Sequence, residues 1–375
     1  MDLASKIFDI VVQKDKTGDQ ILKWNDDEVK RNYVKLRLVS LLHDVGHSAF
    51  SHSGDEKLLP SIPSAEGRLI RLRHEDYSAN IVKNYGSIRN IIDSLVKPEY
   101  GIGAEEIADF IDDTKPAPTI LQLIVTGPLD ADKMDYLWRD SYYTGVHYGK
   151  FDVDRLAQTL VVVEDQKQPS LGIDEDGILS AEGLILARYY MFLQVYFHDI
   201  RRAYDLHLTD YLQLELPNRM YPIGLGEYLA YDDYSLTQGM IKNIDTKSLL
   251  GKFAKIIIER KHYKPVHEVR IFSKVTAMHE ARVFANNFQE LRTKFPHIDF
   301  KKDSAEDSPN KFASFEQDFL VRKENVSGKD KYNFISYETG LVNNLEDFNI
   351  LRLYMPDNPD FNNILDYIKT QLKWK

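Results

Sequence analysis

The stretch Val34–Glu56 reads VKLRLVSLLHDVGHSAFSHSGDE and decides the fold. Its first nine residues are dominated by Val and Leu, which predicts a largely buried helix over Val34–Leu42. A dense group of titratable residues follows directly: His43, Asp44, His47, His52 and Asp55. We therefore expect the end of a core helix to carry His43 and Asp44 into the interior of an α-helical domain.

The composition excludes several kinds of site. The chain has 375 residues, 43% of them hydrophobic, so it can bury one large core or two smaller ones. It contains no cysteine, which excludes disulfides, thiolate metal sites and cysteine nucleophiles. Any metal ion would need histidine and carboxylate ligands. That donor set suits a divalent metal, which we leave open among Mg, Mn, Fe, Co, Ni and Zn.

The charge and the apolar pattern limit the partners and the location. The formal net charge of −10 argues against general attraction to nucleic acids or membranes, so we expect any phosphate site to be local. No stretch approaches the roughly 20 apolar residues of a membrane span. The N-terminus, MDLASKIFDIVVQKDKTGD, lacks the features of a signal peptide. We expect a soluble, cytoplasmic protein.

The hydrophobic periodicity predicts two domains in a mainly α protein. Apolar residues at helical spacing predict a helical core in residues 1–217, interrupted by a small hairpin between Val161 and Ser180. Residues 218–375 are mixed and predict a smaller α+β domain. Within it, Lys301–Lys311 has little apolar content, which predicts a solvated loop. The strand-like runs there are Arg270–Ser273, Phe319–Val321 and Ile350–Tyr354.

The density of histidines near residue 47 favours a functional site. An isolated histidine is more often a surface residue or a hydrogen-bonded core residue than a metal ligand. Three histidines and two aspartates directly behind an apolar helix reverse that expectation. Asp132 is different, since its chemistry alone would place it on the wet face of an amphipathic helix.

The motifs resemble those of a known family. HDVGHSAFSH at residues 43–52 resembles the signature of the HD-domain phosphohydrolases, and HEDYS at residues 74–78 resembles the motif that follows it. LDADKMDYLWRDSYYTGVHYGKFDVDRL at residues 129–156 resembles the later aspartate motif of deoxynucleoside triphosphate triphosphohydrolases. The resemblance implies an HD-domain helical bundle that hydrolyses dNTPs to deoxynucleoside and triphosphate.

The resemblance also implies roles for individual residues. It implies that a divalent metal is bound by His43, Asp44 and Asp132. It implies that His52 is the general acid, that Asp55 or Glu75 orients its ring, and that two further histidines stabilise phosphate charge. These two are His47 and His74.

A third segment, ARYYMFLQVYFHDIRRAYDLHL from Ala187, resembles the helix that lines the triphosphate pocket in this family. Arginine suits bidentate contact with phosphate, although a structural Arg–Asp pair is the alternative for Arg188. The substrate-binding residues that the resemblance implies are Lys133, Tyr136, Asp140, Arg188, Tyr196 and His198.

A basic element, IERKHYKPVHE, resembles the part of the family that binds a regulatory nucleotide. It would place Arg260 and Lys264 one turn apart if the stretch were helical. A solvated basic surface is the other interpretation. Family members are commonly homo-oligomers, so the implied partners are a dNTP, a nucleotide effector and further copies of the chain in a dimer or tetramer.

The sequence departs from the family at one ligand. The family uses a further histidine upstream of the HD helix, whereas residues 1–42 contain no histidine. We therefore expect an HD domain that is N-terminally incomplete relative to the family, with a three-ligand metal site. Two alternatives stay open: an HD phosphohydrolase acting on another nucleotide or phosphate ester, and a catalytically silent nucleotide sensor.

Overall fold

The computed structural model describes residues 1–64, 67–112, 119–272, 274–307, 318–323, 331–345 and 347–372. The chain forms two compact units, each assembled from three separate segments. The first unit comprises Met1–His47, Leu72–Met191 and Pro309–Leu345, and the second comprises Ser48–Arg71, Phe192–Ser308 and Glu346–Lys375. The domain boundary expected between residues 217 and 218 falls inside the second unit.

Helices dominate both units, which confirms the mainly α fold expected from the sequence. The α-helices of the described residues are, in chain order, α1 (Asp2–Thr17), α2 (Asp26–Leu42), α3 (His52–Leu58), α4 (His74–Asn84), α5 (Gly86–Ile91), α6 (Lys97–Tyr100), α7 (Ala104–Ile111), α8 (Ile120–Thr126), α9 (Ala131–Thr144), α10 (Val153–Thr159), α11 (Ile178–Met191), α12 (Asp199–Glu215), α13 (Leu225–Tyr228), α14 (Asp233–Asn243), α15 (Leu249–Ile258), α16 (Lys274–Lys294), α17 (Ile335–Glu338), α18 (Gly340–Asn344) and α19 (Phe361–Thr370).

The strands form three small sheets. They are β1 (Ser61–Pro63), β2 (Leu69–Arg71), β3 (Leu160–Asp165), β4 (Gln168–Asp174), β5 (Lys264–Ile271), β6 (Lys301–Asp307), β7 (Leu320–Arg322), β8 (Tyr332–Phe334) and β9 (Phe348–Met355). β1 pairs with β2, the first unit contains the order β3-β4-β7-β8, and the second unit contains β5-β9-β6. Among the described residues, no helix is both long and apolar enough to cross a membrane.

Helix α2 carries the start of the candidate site. Asn25 caps it by accepting hydrogen bonds from the Asp27 and Glu28 amides, and the Glu28 carboxylate accepts one from the Asn25 amide. The buried residues of this helix are Leu36, Val39 and Leu42, whereas Leu41 is 58% exposed. Of the nine residues from Val34 to Leu42, three are buried, five are partly buried and only Leu41 is exposed, so the expected buried helix is confirmed in part.

The predicted hairpin is present as β3 and β4, whose register runs from Leu160 opposite Ile173 to Asp165 opposite Gln168. Its two turn residues, Gln166 and Lys167, both have positive φ, as a two-residue hairpin turn requires. β7 then pairs parallel to β4, and β8 pairs antiparallel to β7. A segment that the sequence assigned to the C-terminal domain thus completes this sheet in the first unit.

The second unit is built on α12 and the antiparallel sheet β5-β9-β6. Helix α12 packs against α3 and α15. A hydrophobic cluster joins the sheet to α16 and α19 through buried residues such as Phe284, Leu291, Leu353, Ile364 and Ile368. The expected strands in this region lie in β5 and β9, although Ser273 is outside the described residues.

The prediction of a solvated loop at Lys301–Lys311 was wrong for residues 301–307, because they form strand β6. Residues 308–311 lie outside the described residues. Asp303 is buried because the Arg202 guanidinium donates two hydrogen bonds to its carboxylate, at 2.9 and 2.6 Å. Asp303 also lies opposite Arg352 of β9, which in turn donates to Glu268 of β5 at 2.6 Å. Charges that look solvated in the sequence are therefore paired inside this sheet.

His207 of α12 makes the stability of the second unit depend on pH. Its side chain is fully buried, and its Nε2 accepts a hydrogen bond from the Tyr263 amide at 3.1 Å. Burial, together with the charge of Lys301, lowers the pKa of His207 to about 3. Below about pH 6.5 the imidazole is protonated in the unfolded chain but stays neutral in the folded protein. The free energy of unfolding therefore falls as the pH falls below that value.

We predict that His207→Gln, which keeps an acceptor for Tyr263, removes part of this acid sensitivity. At about 1.4 kcal/mol per pH unit, the free energy of unfolding of the unmodified chain should lose about 2 kcal/mol more than the variant between pH 6.5 and 5. Urea unfolding at the two pH values measures the difference. Equal losses in both proteins would show that His207 is not protonated on unfolding.

Candidate functional site

Three side chains in the first unit converge where α2 ends and α9 begins. His43 follows the last residue of α2, Asp44 is next in the chain, and Asp132 lies in the first turn of α9. His43 Nε2 lies 3.4 Å from Asp44 Oδ2 and 3.9 Å from Asp132 Oδ1. Two atoms bound to one ion at about 2.2 Å each can be at most ~4.4 Å apart, and both pairs meet this limit. One ligand atom from each residue lies within 4.8 Å of the others.

The environment of His43 also fits a metal ligand. Its two ring nitrogens are buried, and neither has a hydrogen-bond partner among the described residues. Buried polar atoms are rarely left unpaired, and a bound cation would satisfy one of them. Burial lowers the pKa of His43, but the carboxylates of Asp132 and Asp44 outweigh it, so the pKa lies above its ordinary value.

Two further histidines lie against the other oxygen of Asp44. Asp44 Oδ1 is 3.6 Å from His74 Nε2 and 3.9 Å from His47 Nε2. The two imidazole rings stack with centroids 3.8 Å apart and an interplanar angle of 15°. Burial raises the pKa of Asp44, but hydrogen bonding with His74 and the positive charge of the three surrounding imidazoles bring it below its ordinary value. The Asp44 carboxylate thus connects the candidate metal ligands to the stacked histidine pair.

Gly46 makes this arrangement sterically possible. A Cβ atom at Gly46 would lie 2.1 Å from the Ser78 amide nitrogen and 2.5 Å from the His74 carbonyl oxygen. The Gly46 amide donates to the Ser78 hydroxyl at 2.8 Å. The absence of a side chain therefore lets the loop after α2 approach the first turn of α4, where His74 lies.

Lys133 is held by a residue that the sequence reasoning missed. Asp130 is 1% exposed, caps α9 by accepting from the Lys133 amide, and binds the Lys133 ammonium at 2.5 Å. The same ammonium donates to the Gly127 carbonyl oxygen at 2.9 Å. Burial raises the pKa of Asp130 to about 6, against the attraction of Lys133. Aspartate is a preferred residue at the N-cap of a helix, so its position before α9 could have indicated the capping role of Asp130. The expected contact of Lys133 with phosphate stays a prediction.

Tyr136 and Arg188 come together within the first unit. Arg188 of α11 is buried, and its guanidinium interacts with the Tyr136 hydroxyl of α9. Burial raises the pKa of Tyr136, although the Arg188 charge opposes this rise. Asp140 is half-buried one helical turn beyond Tyr136, so the two side chains share one face of α9.

The remaining expected residues are spread over both units. Glu75 lies with His74 in the first unit, with 3.5 Å between Glu75 Oε2 and His74 Nδ1. In the second unit, His52 is exposed as the first residue of α3, and the buried Asp55 carboxylate accepts from the Ser48 amide at 3.0 Å. The roles expected for these three residues are still predictions.

Two expected substrate residues flank the start of α12. Tyr196 ends a π-helical turn, Phe192–Tyr196, and its carbonyl oxygen accepts a hydrogen bond from Arg201. His198 caps α12 through Nδ1, which accepts from the Ile200 amide at 3.3 Å, and its side chain is more than half exposed. The contacts to substrate expected for both residues stay predictions.

The basic element is not helical. Helix α15 ends at Ile258, Arg260 has a φ of 57°, and Lys264 begins strand β5. The condition for placing Arg260 and Lys264 one helical turn apart is therefore not met. The Lys264 ammonium binds the Asp357 carboxylate at 2.6 Å, and a regulatory role for the element stays a prediction.

Two family models match successive parts of the chain: the HD domain at residues 19–113 and the HD associated region at residues 151–292. Uncharacterized protein YwfO of Bacillus subtilis is 31% identical over 231 residues, or 58% of this chain and 48% of that protein. The deoxynucleoside triphosphate triphosphohydrolase SAMHD1 homolog of Dictyostelium discoideum is 28% identical over 187 residues, or 48% of this chain and 33% of that protein. The chain spans about half or less of the length of such curated relatives.

Solved structures share the fold. A hypothetical protein from Aquifex aeolicus matches with a TM-score of 0.70 and 22% identity, covering 98% of this chain and 84% of that one. A phosphohydrolase from Bacteroides thetaiotaomicron matches with a TM-score of 0.64 and 19% identity, covering 95% of this chain and 85% of that one. At these identities the matches establish the fold alone. Residues 19–113 and 151–292 are therefore similar to the HD domain and to the HD associated region, within a fold that these solved structures share.

We predict that Asp132→Ala weakens the binding of Mn²⁺ by more than the 10- to 100-fold that the loss of an outer-sphere partner typically costs. The matched control is Asp135→Ala on the same helix, since Asp135 is 56% exposed and bound to Arg139. Isothermal titration with Mn²⁺ alone measures both variants. Equal affinities in the two variants would exclude Asp132 as a ligand.

Proposed function

We propose that this protein is a metal-dependent phosphohydrolase that converts dNTPs to deoxynucleoside and inorganic triphosphate. The observation that carries the proposal is the convergence of His43, Asp44 and Asp132, with the stacked His47 and His74 against the same aspartate. An imidazole whose two ring nitrogens are buried and which is flanked by two carboxylates is a donor set suited to a divalent cation.

The residues around this group supply the remaining functions. A divalent cation bound there would lower the pKa of a coordinated water and polarise a phosphoryl group. The Nε2 atoms of His47 and His74 lie within 4 Å of the Asp44 carboxylate, and these imidazoles would offset the negative charge that develops on the phosphoryl oxygens. The Asp44 carboxylate holds these imidazoles in place while its other oxygen faces His43.

The dNTP assignment rests on the pair of Tyr136 and Arg188 and on the resemblance of their motifs. A guanidinium presents a planar fork of donors that suits phosphate oxygens, and burial would strengthen its attraction to a triphosphate. Tyr136 and Asp140, on one face of α9, would contact the sugar. The relative from Dictyostelium discoideum, named a triphosphohydrolase, supports this substrate class.

The leaving group requires a proton. Hydroxide from water would attack the α-phosphorus and form the new oxygen bond of triphosphate, while the bond to the 5′-oxygen breaks. The 5′-oxygen leaves as an alkoxide, and we assign His52 as the acid that protonates it. Asp55, buried three residues further along α3, would support the charged imidazole. Lys133, Tyr196 and His198 would complete the substrate contacts. A homo-oligomeric state and a nucleotide effector bound near Arg260 and Lys264 belong to the same proposal.

A second function is favoured by one observation. The described residues offer three candidate ligands around His43, and a site with fewer protein ligands binds its metal less tightly. A chain with a weakly bound metal would act as a nucleotide sensor rather than as an enzyme. Binding of dNTP without product release would distinguish this function from hydrolysis.

We predict that the purified chain releases intact triphosphate from at least one dNTP in the presence of Mg²⁺, Mn²⁺, Co²⁺ or Fe²⁺, with and without GTP. Asp44→Ala should abolish release because it removes a ligand and the partner of both stacked histidines. The matched control, Asp27→Ala, changes a 96% exposed aspartate in the first turn of α2 and should leave the rate unchanged. Ion-exchange separation of the products measures the outcome, and release of pyrophosphate or single phosphates would contradict the proposed bond cleavage.

A further inference from the structure

The loop that leads into α3 has a strained backbone. Phe50 has a φ of 64°, and Ser51 has a φ of 53° with a ψ of −137°. Residues with side chains rarely adopt these conformations, least of all in succession, and they persist only where the surroundings hold them. His52 is the next residue, so whatever holds this loop also sets where α3 begins.

Side chains from outside the loop hold it. The Phe50 amide donates to the Asp233 carboxylate at 2.7 Å, and the Ser48 amide donates to the Asp55 carboxylate at 3.0 Å. Within the loop, the Ser51 amide donates to the Ser48 carbonyl oxygen at 2.9 Å. Asp233 is the first residue of α14, so a helix far along the chain fixes one of the two strained residues.

The packing around the loop leaves little room for another conformation. A Cβ atom at Gly54 would lie 2.1 Å from the Ala49 carbonyl oxygen and 2.6 Å from the Ser48 hydroxyl. Tyr221 is 2% exposed beside Ser48. Burial raises the pKa of Tyr221 to about 12, and the nearby charges of Asp55 and Asp233 add to this rise. The loop is therefore enclosed by α3, α14 and the segment that carries Tyr221.

We propose that Asp233 is a positioning residue for His52, acting through the Phe50 amide to hold the strained turn that starts α3. The inference rests on the proposed function, in which His52 is the general acid. Asp233 itself does not contact substrate in this account. A misplacement of about 1 Å at a reacting group can cost on the order of 100-fold in rate, so loss of this single acceptor should be visible in turnover.

Three variants test the inference in the full-length chain. Asp233→Ala removes the acceptor, and we expect kcat for the dNTP to fall about 10- to 100-fold with little change in KM. Asp233→Asn keeps an acceptor oxygen and should retain most of the rate. Ser235→Ala is the matched control. It weakens the capping box that Ser235 forms with Asp232 on the same helix, and leaves the partner of Phe50 in place.

The leaving group separates a positioning role from general destabilisation. p-Nitrophenyl triphosphate carries a phenolate where the dNTP carries its nucleoside 5′-oxygen, and a phenolate leaves without protonation, so a misplaced general acid matters less for this ester. Asp233→Ala should therefore impair dNTP turnover much more than turnover of this ester. Equal impairment of the two substrates, or equal impairment by Ser235→Ala, would overturn the inference.

Hydrogen exchange tests the loop without relying on activity. The Phe50 amide should exchange at least about 10-fold faster in Asp233→Ala than in the unmodified chain or in Ser235→Ala, because its acceptor is lost. Unchanged exchange would overturn the inference whether or not the chain is an enzyme. If the unmodified chain releases no triphosphate, the proposed function fails by itself, and faster exchange would still support Asp233 as the residue that holds the loop.

Discussion

The candidate metal site depends on one constraint, which is that both ring nitrogens of His43 are buried. Among the described residues, neither of its ring nitrogens has a hydrogen-bond partner, and two carboxylates lie within 4 Å of Nε2. Burying such a group is costly unless a ligand compensates for it. Helix α2 brings His43 and Asp44 to this point and α9 brings Asp132. Gly46 lets α4 approach closely enough for His74 to reach Asp44. A cation bound between these residues would satisfy one of the buried ring nitrogens of His43.

Electrostatic pairing organises the second unit in a different way. There the charges are neutralised internally: Arg202 binds Asp303, and Arg352 binds Glu268 across neighbouring strands. Removing one partner of such a buried pair would leave an uncompensated charge, which typically costs about 3–5 kcal/mol. One of these pairs joins α12 to β6 and the other joins β9 to β5, and α3 packs against α12.

The sequence predicted site residues that lie close together in the chain, but it did not predict contacts between residues that are far apart in the chain. His43, Asp44 and His47 are close in the chain and follow an apolar helix, so their convergence could be expected from their spacing. Asp132 could be assigned only through a family resemblance, because a single aspartate on an amphipathic helix carries no signal by itself. Strand β6 was missed since the burial of Asp303 depends on Arg202, 101 residues away. The hydrogen bond between Phe50 and Asp233 joins residues 183 positions apart, so no local sequence pattern predicts it.

The proposed function requires His43, Asp44 and Asp132 to bind a divalent cation together. A crystal structure of the protein soaked with Mn²⁺ and a non-hydrolysable dNTP analogue, with anomalous data at the manganese edge, would reveal whether they do. The account predicts one strong anomalous peak about 2.0–2.2 Å from His43 Nε2 and from an oxygen of each aspartate, with the analogue's α-phosphate beside it. An anomalous peak elsewhere, or an analogue bound with no peak between these three residues, would contradict the account.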